Sequence, residues 1–146
     1  AHAADLLDVI CPRRFHIGEA GQASQAKLAV NLILGLNRLA LCEGLVFAER
    51  MGLDLRAFLQ LARSSAAYSQ VMDTKGEKLL ARDYAPQGRL QQTLKDVRLM
   101  LAEARRVGQQ LPLLGVHAEM LERCIERGEG ERDGCAVIEE VRRRTS

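Results

Sequence analysis

The sequence predicts an all-α protein, a multi-helix bundle organised around one long buried central helix. Three observations carry this prediction. Hydrophobic residues make up 47% of the 146 positions and aromatics only 3%, so the core must be built from Leu, Ala and Val, which suits helices better than sheets. After Gly21 no proline occurs until Pro86, and most of the first half of that interval is apolar. Further on, Leu90, Leu94, Val97, Leu101 and Ala104 recur at helical spacing. A chain of this length supports one sizeable core.

In order, Ala1 to Ile10 reads as the end of a helix, with Leu6, Val9 and Ile10 as half an amphipathic stripe and Pro12 as its stop. Arg13 to Ile17 alternates loosely, like a short extended segment. Gly18-Glu-Ala-Gly21 is a glycine turn feeding the long helix, from Gln22 to Met51. Between Leu28 and Ala48 this helix is apolar nearly all round, so it belongs inside a protein or a membrane. Arg38 and Glu43 would each cost roughly 3 kcal/mol near a bilayer centre, which favours the core of a soluble bundle.

Gly52 stops the long helix, and Asp54 caps a second one with Leu55, Phe58, Leu59 and Leu61 on its apolar side. Ser64-Ser65 breaks that helix. A third begins near Ser69 and buries Val71, Met72, Leu79 and Leu80, with Gly76 as a weak point. Tyr84 to Gly88 is a loop, and the stripe from Leu90 to Ala104 defines the fourth helix, which Gly108 ends. Pro112 opens a fifth, with Leu113, Val116, Met120 and Cys124 marking its inner face. Gly128 and Gly130 bracket a tight connection. Asp133 caps a last helix with Ala136, Val137 and Val141 inward, and Arg142-Arg143-Arg144 reads as a solvated end favoured by the helix dipole.

A net charge of +2 with both signs interspersed gives no argument for nucleic acid or an anionic membrane, and neither is expected as a partner. Cys11, Cys42, Cys124 and Cys135 form no C-x-x-C pair and read as small buried hydrophobes of a reducing compartment. With no basic-then-apolar leader at the N-terminus, the cytoplasm is the expected location. His2, His16 and His117 are scattered, and no metal site is expected.

The polar residues of the long helix are not scattered. At about 100° per residue, Lys27, Asn31, Gly35 and Arg38 stack on one narrow stripe, with Ser24 beside its start. On spacing alone, a lysine snorkelling to solvent beside an unrelated asparagine is the simpler reading.

Gly18-x-x-Gly21 followed by Lys27 and Asn31 resembles the start of the C-terminal domain of the 3-hydroxyisobutyrate dehydrogenase family, the β-hydroxyacid dehydrogenases related to 6-phosphogluconate dehydrogenase. The family pattern is G-x-x-G-x-G-x-x-x-K-x-x-x-N, and Ala23 stands here at the third glycine. Ser69 after Ala66-Ala67-Tyr68, the Lys95-Asp96 pair, and Asp133-Gly134-Cys135-Ala136-Val137, similar to a terminal D-x-S-A segment, extend the resemblance from about Gly18 to Val141.

The resemblance implies a 6-phosphogluconate dehydrogenase C-terminal-domain-like fold over residues 18–146. Residues 1–17 are then the end of a preceding Rossmann domain or a linker. It also implies NAD or NADP as cofactor, bound mainly by that other domain, whose G-x-G-x-x-G fingerprint this chain lacks. Lys27 is implied as the catalytic group, Asn31 and Gly21 as substrate-binding, and Lys95 and Asp96 as cofactor-binding. The implied partners are a small hydroxy acid and further copies of the chain, as a homodimer or higher oligomer. By itself the chain is expected to be inactive.

Oxidising a β-hydroxy acid requires a proton acceptor for the hydroxyl, and a lysine serves when desolvation disfavours its ammonium form. An asparagine one turn away can donate and accept hydrogen bonds and so fix the substrate oxygens. One departure alters the pocket wall: seven residues before Lys95 the family usually has an aromatic, and here Gly88 is followed by Arg89. Arg89 is placed either to bind an acidic group bidentately or to face water.

Two other classes compete. A helical dimerisation or ligand-binding module that kept the fold without the chemistry would explain Gly88 and the absent fingerprint, but not Lys27, Asn31 and Lys95-Asp96 together. The effector domain of a transcription regulator would also be all-helical, and it predicts neither the glycine turn nor the Lys-Asp pair.

Overall fold

The computed structural model describes residues 9–11 and 13–145; Leu6 and Pro12, part of the helix end expected before the glycine turn, lie outside them. It contains α1 (Gln22–Arg50), α2 (Leu55–Arg63), α3 (Gln70–Leu80), α4 (Leu90–Arg106), α5 (Pro112–Glu126), a 3-10 turn (Gly134–Ala136) and α6 (Val137–Arg143). Among the described residues there is no strand, only an isolated antiparallel bridge between Arg89 and Asp133. Residues 14–17 have no regular structure, and Phe15 and Ile17 are exposed.

The glycine turn does what its composition requires. Gly18 and Gly21 have φ of +136° and +96°, and Gly21 is the N-cap of α1. A side chain is disfavoured at either position. The 29 residues of α1 make a rod about 43 Å long.

Within this chain only part of that rod is buried. Gly35, Leu39, Leu41, Cys42, Leu45, Val46 and Ala48 are in the core. Toward the N-terminus Val30 is 61% exposed, and Ile33 and Leu34 also face outward. The bundle covers the second half on most sides and the first half on one. By length and composition α1 would also suit a bilayer span.

Asp54 caps α2 through Oδ1, which accepts from the backbone N–H of Arg56 at 2.8 Å and Ala57 at 3.1 Å. Leu59 is the buried anchor of α2, whereas Leu61, expected on the same side, is exposed. Leu59 rests on α3 at Gly76, where an added Cβ would lie 2.7 Å from Leu59 Cδ2. Gly76 is thus a close-approach position between two helices.

The N-terminus of α4 has no side-chain cap. Its first N–H groups, which no helix can satisfy internally, donate instead to carbonyls of the α5–α6 connection: Leu90 to Arg132 at 2.9 Å and Gln91 to Gly130 at 3.1 Å. Gly134 and Asp133 donate in return to the carbonyls of Gly88 and Tyr84. Asp133 holds this junction. Its buried carboxylate accepts from Lys75 Nζ at 3.1 Å, from the N–H of Gln87 at 2.8 Å and from the N–H of Cys135 at 3.0 Å. Burial alone would raise its pKa, but the backbone donors and Lys75 overcome that and hold the carboxyl well below the usual range. Asp133 therefore caps the 3-10 turn before α6 and also ties α3 to the start of α4.

Two further expectations are corrected. The inner face of α5 is Leu114, His117, Ala118, Met120, Leu121 and Cys124, while Leu113 and Val116 are exposed; the face lies one residue round from the expected one. The arginine tail is not simply solvated. Arg142 bridges Glu49 of α1 at 2.8 Å and Glu139 at 2.7 Å, Arg143 pairs with Glu129, and Arg144 with Glu119. Cys42, Cys124 and Cys135 are buried free thiols; Cys11 is exposed.

Candidate functional site

The polar stripe of α1 meets α4 and α5 in a small cleft. From α1 come Asn31, Leu34, Gly35 and Arg38; from α4 come Thr93, Asp96, Val97 and Met100; from α5 come Leu114 and His117. The cleft volume is about 150 Å³. A second, largely apolar groove further along pairs Gln25, Leu28 and Leu32 with Met100, Ala104 and Val107. The two series run in opposite order, so α4 lies antiparallel to the first half of α1. This places Arg38 near Thr93, with Asn31 toward Met100.

Depth within the cleft follows burial. Asp96 is exposed at its rim, Asn31, Thr93 and Arg38 are half-buried, and His117 is 1% exposed at the floor. Gly35 permits this depth, because a Cβ there would already touch His117 Cε1 at 3.4 Å. Burial pushes the His117 pKa down to about 4, with the nearby Arg38 charge acting in the same direction, so the ring is neutral at physiological pH. Its Nδ1 is buried with no hydrogen-bond partner.

Lys27 is exposed one turn N-terminal to Asn31 on the same stripe, beyond the cleft lining. Gly21 is exposed, with nothing within 4 Å of where a Cβ would sit. Asn31 and Asp96 line one cleft. Lys95 lies in a separate depression with Gln91, Arg98, Glu122 and Glu126. Adjacent helical residues point about 100° apart, so the two members of the Lys-Asp pair serve different faces of α4. Arg89 is exposed and paired with Glu131 at 3.1 Å, away from the cleft. Gly88 is open, with no atom where a side chain would begin.

Thr93 and His117 were not singled out as site residues by the sequence, and Arg38 appeared only as a member of the stripe. A signal for His117 existed: Leu114, His117, Ala118 and Leu121 follow the i, i+3, i+4, i+7 pattern, and a histidine in that set is buried. Thr93 carries no such signal, since its hydroxyl donates to the Arg89 carbonyl like many helical threonines.

Among the described residues there is no strand and hence no strand–glycine–helix turn to cradle a pyrophosphate. Among the described residues no group of His, Cys, Asp and Glu is arranged to hold a metal ion.

Comparison with known proteins identifies the fold and the family. The model of the family described as NAD-binding of NADP-dependent 3-hydroxyisobutyrate dehydrogenase matches residues 21–141. The chain is 29% identical over 140 residues to the chloroplastic glyoxylate/succinic semialdehyde reductase 2 of Arabidopsis thaliana, covering 96% of this chain and 39% of that protein. It is 33% identical over 115 residues to a mitochondrial 3-hydroxyisobutyrate dehydrogenase-like protein of the same plant, covering 79% of this chain and 34% of the relative. A crystal structure of 3-hydroxyisobutyrate dehydrogenase from Salmonella typhimurium superposes with a TM-score of 0.81 at 25% identity, over 86% of this chain and 44% of that one. The chain thus spans well under half the length of these relatives. With a family match running from the glycine turn to α6, the chain belongs to the 3-hydroxyisobutyrate dehydrogenase family, as its helical C-terminal domain.

Proposed function

We propose that this chain is the substrate-side domain of an NAD(P)-dependent oxidoreductase that interconverts a small hydroxy acid and its oxo acid or aldehyde. The observation that carries the reading is the single stripe on α1 that leads from exposed Lys27 through Asn31 into a cleft shared with Asp96. In this reading a nicotinamide cofactor, held mainly by a Rossmann domain, would supply the acceptor for the hydride of the carbinol carbon. Lys27 takes the hydroxyl proton as the carbonyl forms, and returns it in the reverse direction. Asn31 holds the substrate oxygen in line, and Asp96 accepts a hydrogen bond from the rim. Lys95 has no part in this cleft, and its proposed contact with the cofactor depends on what approaches the opposite face of α4.

The exposed apolar residues Val30, Ile33 and Leu34 support a homodimer or higher oligomer closed on the first half of α1. The buried free thiols fit a reducing compartment, with the cytoplasm as the proposed location. Alone, the chain meets only the nicotinamide end of a dinucleotide, and calorimetry is expected to detect no micromolar binding of NAD or NADP. Micromolar affinity would refute that division of labour.

The decisive experiment is steady-state kinetics on the complete enzyme. Lys27→Ala should lower kcat by about 10² to 10⁴-fold with cofactor affinity nearly unchanged. A kcat within a few-fold of the parent would remove Lys27 from the chemistry and favour a non-catalytic helical module.

A further inference from the structure

The half-buried basic side chains of this fold are Arg38, Arg63, Lys75, Lys78 and Arg142. Four of them are neutralised: Arg63 by Asp73, Lys75 by Asp133, Lys78 by Asp83 and Arg142 by Glu49. Arg38 is the exception among the described residues, with no carboxylate within 4 Å and no hydrogen-bond acceptor. A guanidinium presents five N–H donors in a planar fork, and holding it half out of water without an anion is costly. A second polar group close by has the same deficit. His117 is 1% exposed, and its Nδ1 is buried with no hydrogen-bond partner. Both side chains line the one cleft of about 150 Å³ between α1, α4 and α5.

The arginine end of the cleft is set apart from Asn31 and Lys27. Arg38 follows them by seven and eleven residues, about 10 and 16 Å along α1, and its tip turns away from both toward the 3-10 turn. There Arg38 Nη1 lies against Gly134, in the space that any side chain at that position would fill, and Thr93 Oγ1 would be 3.1 Å from the same added Cβ. The Asp133 junction fixes the turn through the N–H groups of Gln87 and Cys135. Thr93 already spends its hydroxyl hydrogen on the Arg89 carbonyl at 3.2 Å. Asp96 is the one carboxylate that lines the cleft, and it sits at the exposed rim without pairing with Arg38. The inner end therefore holds one full positive charge and one unused buried nitrogen, with no anion to match them.

We propose that Arg38 and His117 form a binding site for one compact monovalent anion, of the size and charge of chloride or formate, separate from Lys27 and Asn31. The ion is singly charged because one guanidinium supplies all the compensation, and Asp96 at the rim penalises a second negative charge. It is compact because a cleft of about 150 Å³ is well below the pockets that enclose drug-sized ligands. The guanidinium fork offers two parallel N–H donors, which suit the two oxygens of a formate or one halide between them. His117 is neutral at physiological pH, and a neutral imidazole keeps one N–H that its tautomer can place on Nδ1. No protonation is then needed for the ring to donate. The bound ion would bridge α1 to α5 and, by neutralising Arg38, hold α1 against the 3-10 turn. The site uses neither Lys27 nor Asn31 and does not rest on the dehydrogenase reading.

The test uses the complete protein and the chloride NMR line of sodium chloride, which broadens when the ion exchanges on and off a protein site. Sodium formate should displace the bound chloride with a half-effect at about 1 to 10 mM, the range expected of a few charge-assisted hydrogen bonds. Sodium sulfate at equal ionic strength should displace it less well. Arg38→Leu should weaken chloride binding by at least about ten-fold. Arg38→Lys keeps the cation without the fork and should show a smaller loss of the same sign; it is read in place of Arg38→Leu if that variant does not fold. His117→Leu should cost about three- to ten-fold, and His117→Asn, which restores an N–H donor, should recover most of that loss; a purely structural role for the ring would show no such recovery. Equal chloride broadening in the parent and the Arg38 variants would overturn the proposal, as would a preference for sulfate. Lys27→Ala and Asn31→Ala should leave chloride binding within about two-fold, and a larger loss in either would place the ion on that stretch and overturn the separate site. None of these measurements needs turnover, so an intact kcat in Lys27→Ala would refute the proposed chemistry and leave the anion site standing.

Discussion

Replacing Asp133 with alanine tests whether one buried carboxylate holds the floor of the cleft. Its oxygens accept from Lys75 Nζ and from the N–H groups of Gln87 and Cys135, all within 3.1 Å, and its side chain is fully buried. Removing it leaves those buried backbone donors unsatisfied and deprives Lys75 of its carboxylate, although Gln87 Oε1 remains 2.7 Å away. Breaking a buried charge pair by removing one partner costs about 3 to 5 kcal/mol, and the remaining glutamine contact places the expected loss near the lower end, about 3 kcal/mol. The pH dependence has a definite sign. The folded-state pKa of Asp133 is depressed, so its contribution is complete above the unfolded value of about 4 and is lost as pH falls below it. Urea denaturation of this chain and of Asp133→Ala at pH 7 should differ by about that amount, and the gap should narrow below about pH 4. A difference under about 1 kcal/mol at pH 7, or one that grows in acid, would refute the account of the junction.

Two other outcomes are expected. His117 has a pKa lowered to about 4 from about 6.5, so the unfolded chain binds the proton that the folded one refuses, and stability falls as pH drops through that interval. By pH 5 the loss from this source is about 2 kcal/mol, and denaturation profiles of His117→Asn should be flatter between pH 7 and 5; parallel profiles would contradict the buried neutral ring. If α1 carries the subunit contact, Ile33→Asp should turn an oligomer into a monomer in sedimentation at micromolar concentration, and an unaltered sedimentation coefficient would move the interface elsewhere.

What could be read beforehand divides along physical lines. The glycine turn, the Asp54 cap, Pro112 at the start of α5 and the burial of Leu90, Leu94 and Val97 follow from local chemistry, and the sequence states them directly. The buried faces of α2 and α5 differ from expectation at Leu61, Leu113 and Val116 because the apolar arc of each helix is wider than the strip its neighbours cover, so which residues are buried is decided by those neighbours. The same holds for α1, whose apolar first half is covered only where α4 passes. Arg38 and Asn31 were legible as a stripe. That the stripe faces His117 and Thr93 was not, because Thr93 lies 55 positions and His117 79 positions from Arg38 in the chain. Arg142 read as an end charge for a related reason, since its partner Glu49 is 93 residues away.

The continuity of α1 has a mechanical consequence. One helix carries Lys27 on its projecting half, Asn31 and Arg38 at the cleft, and Leu45 in the core, with no proline between them and its one cleft glycine, Gly35, wedged against His117. Such a rod behaves as a cantilever fixed at its embedded end, with no joint at which Lys27 could swing relative to the residues of the cleft. The spacing between Lys27 and the cleft is then a built-in ruler. Under the proposed function, any closure over a substrate comes from the covering surface moving as a rigid body against this beam, and a glycine pair introduced at Leu32-Ile33 would loosen the ruler without touching either of its ends.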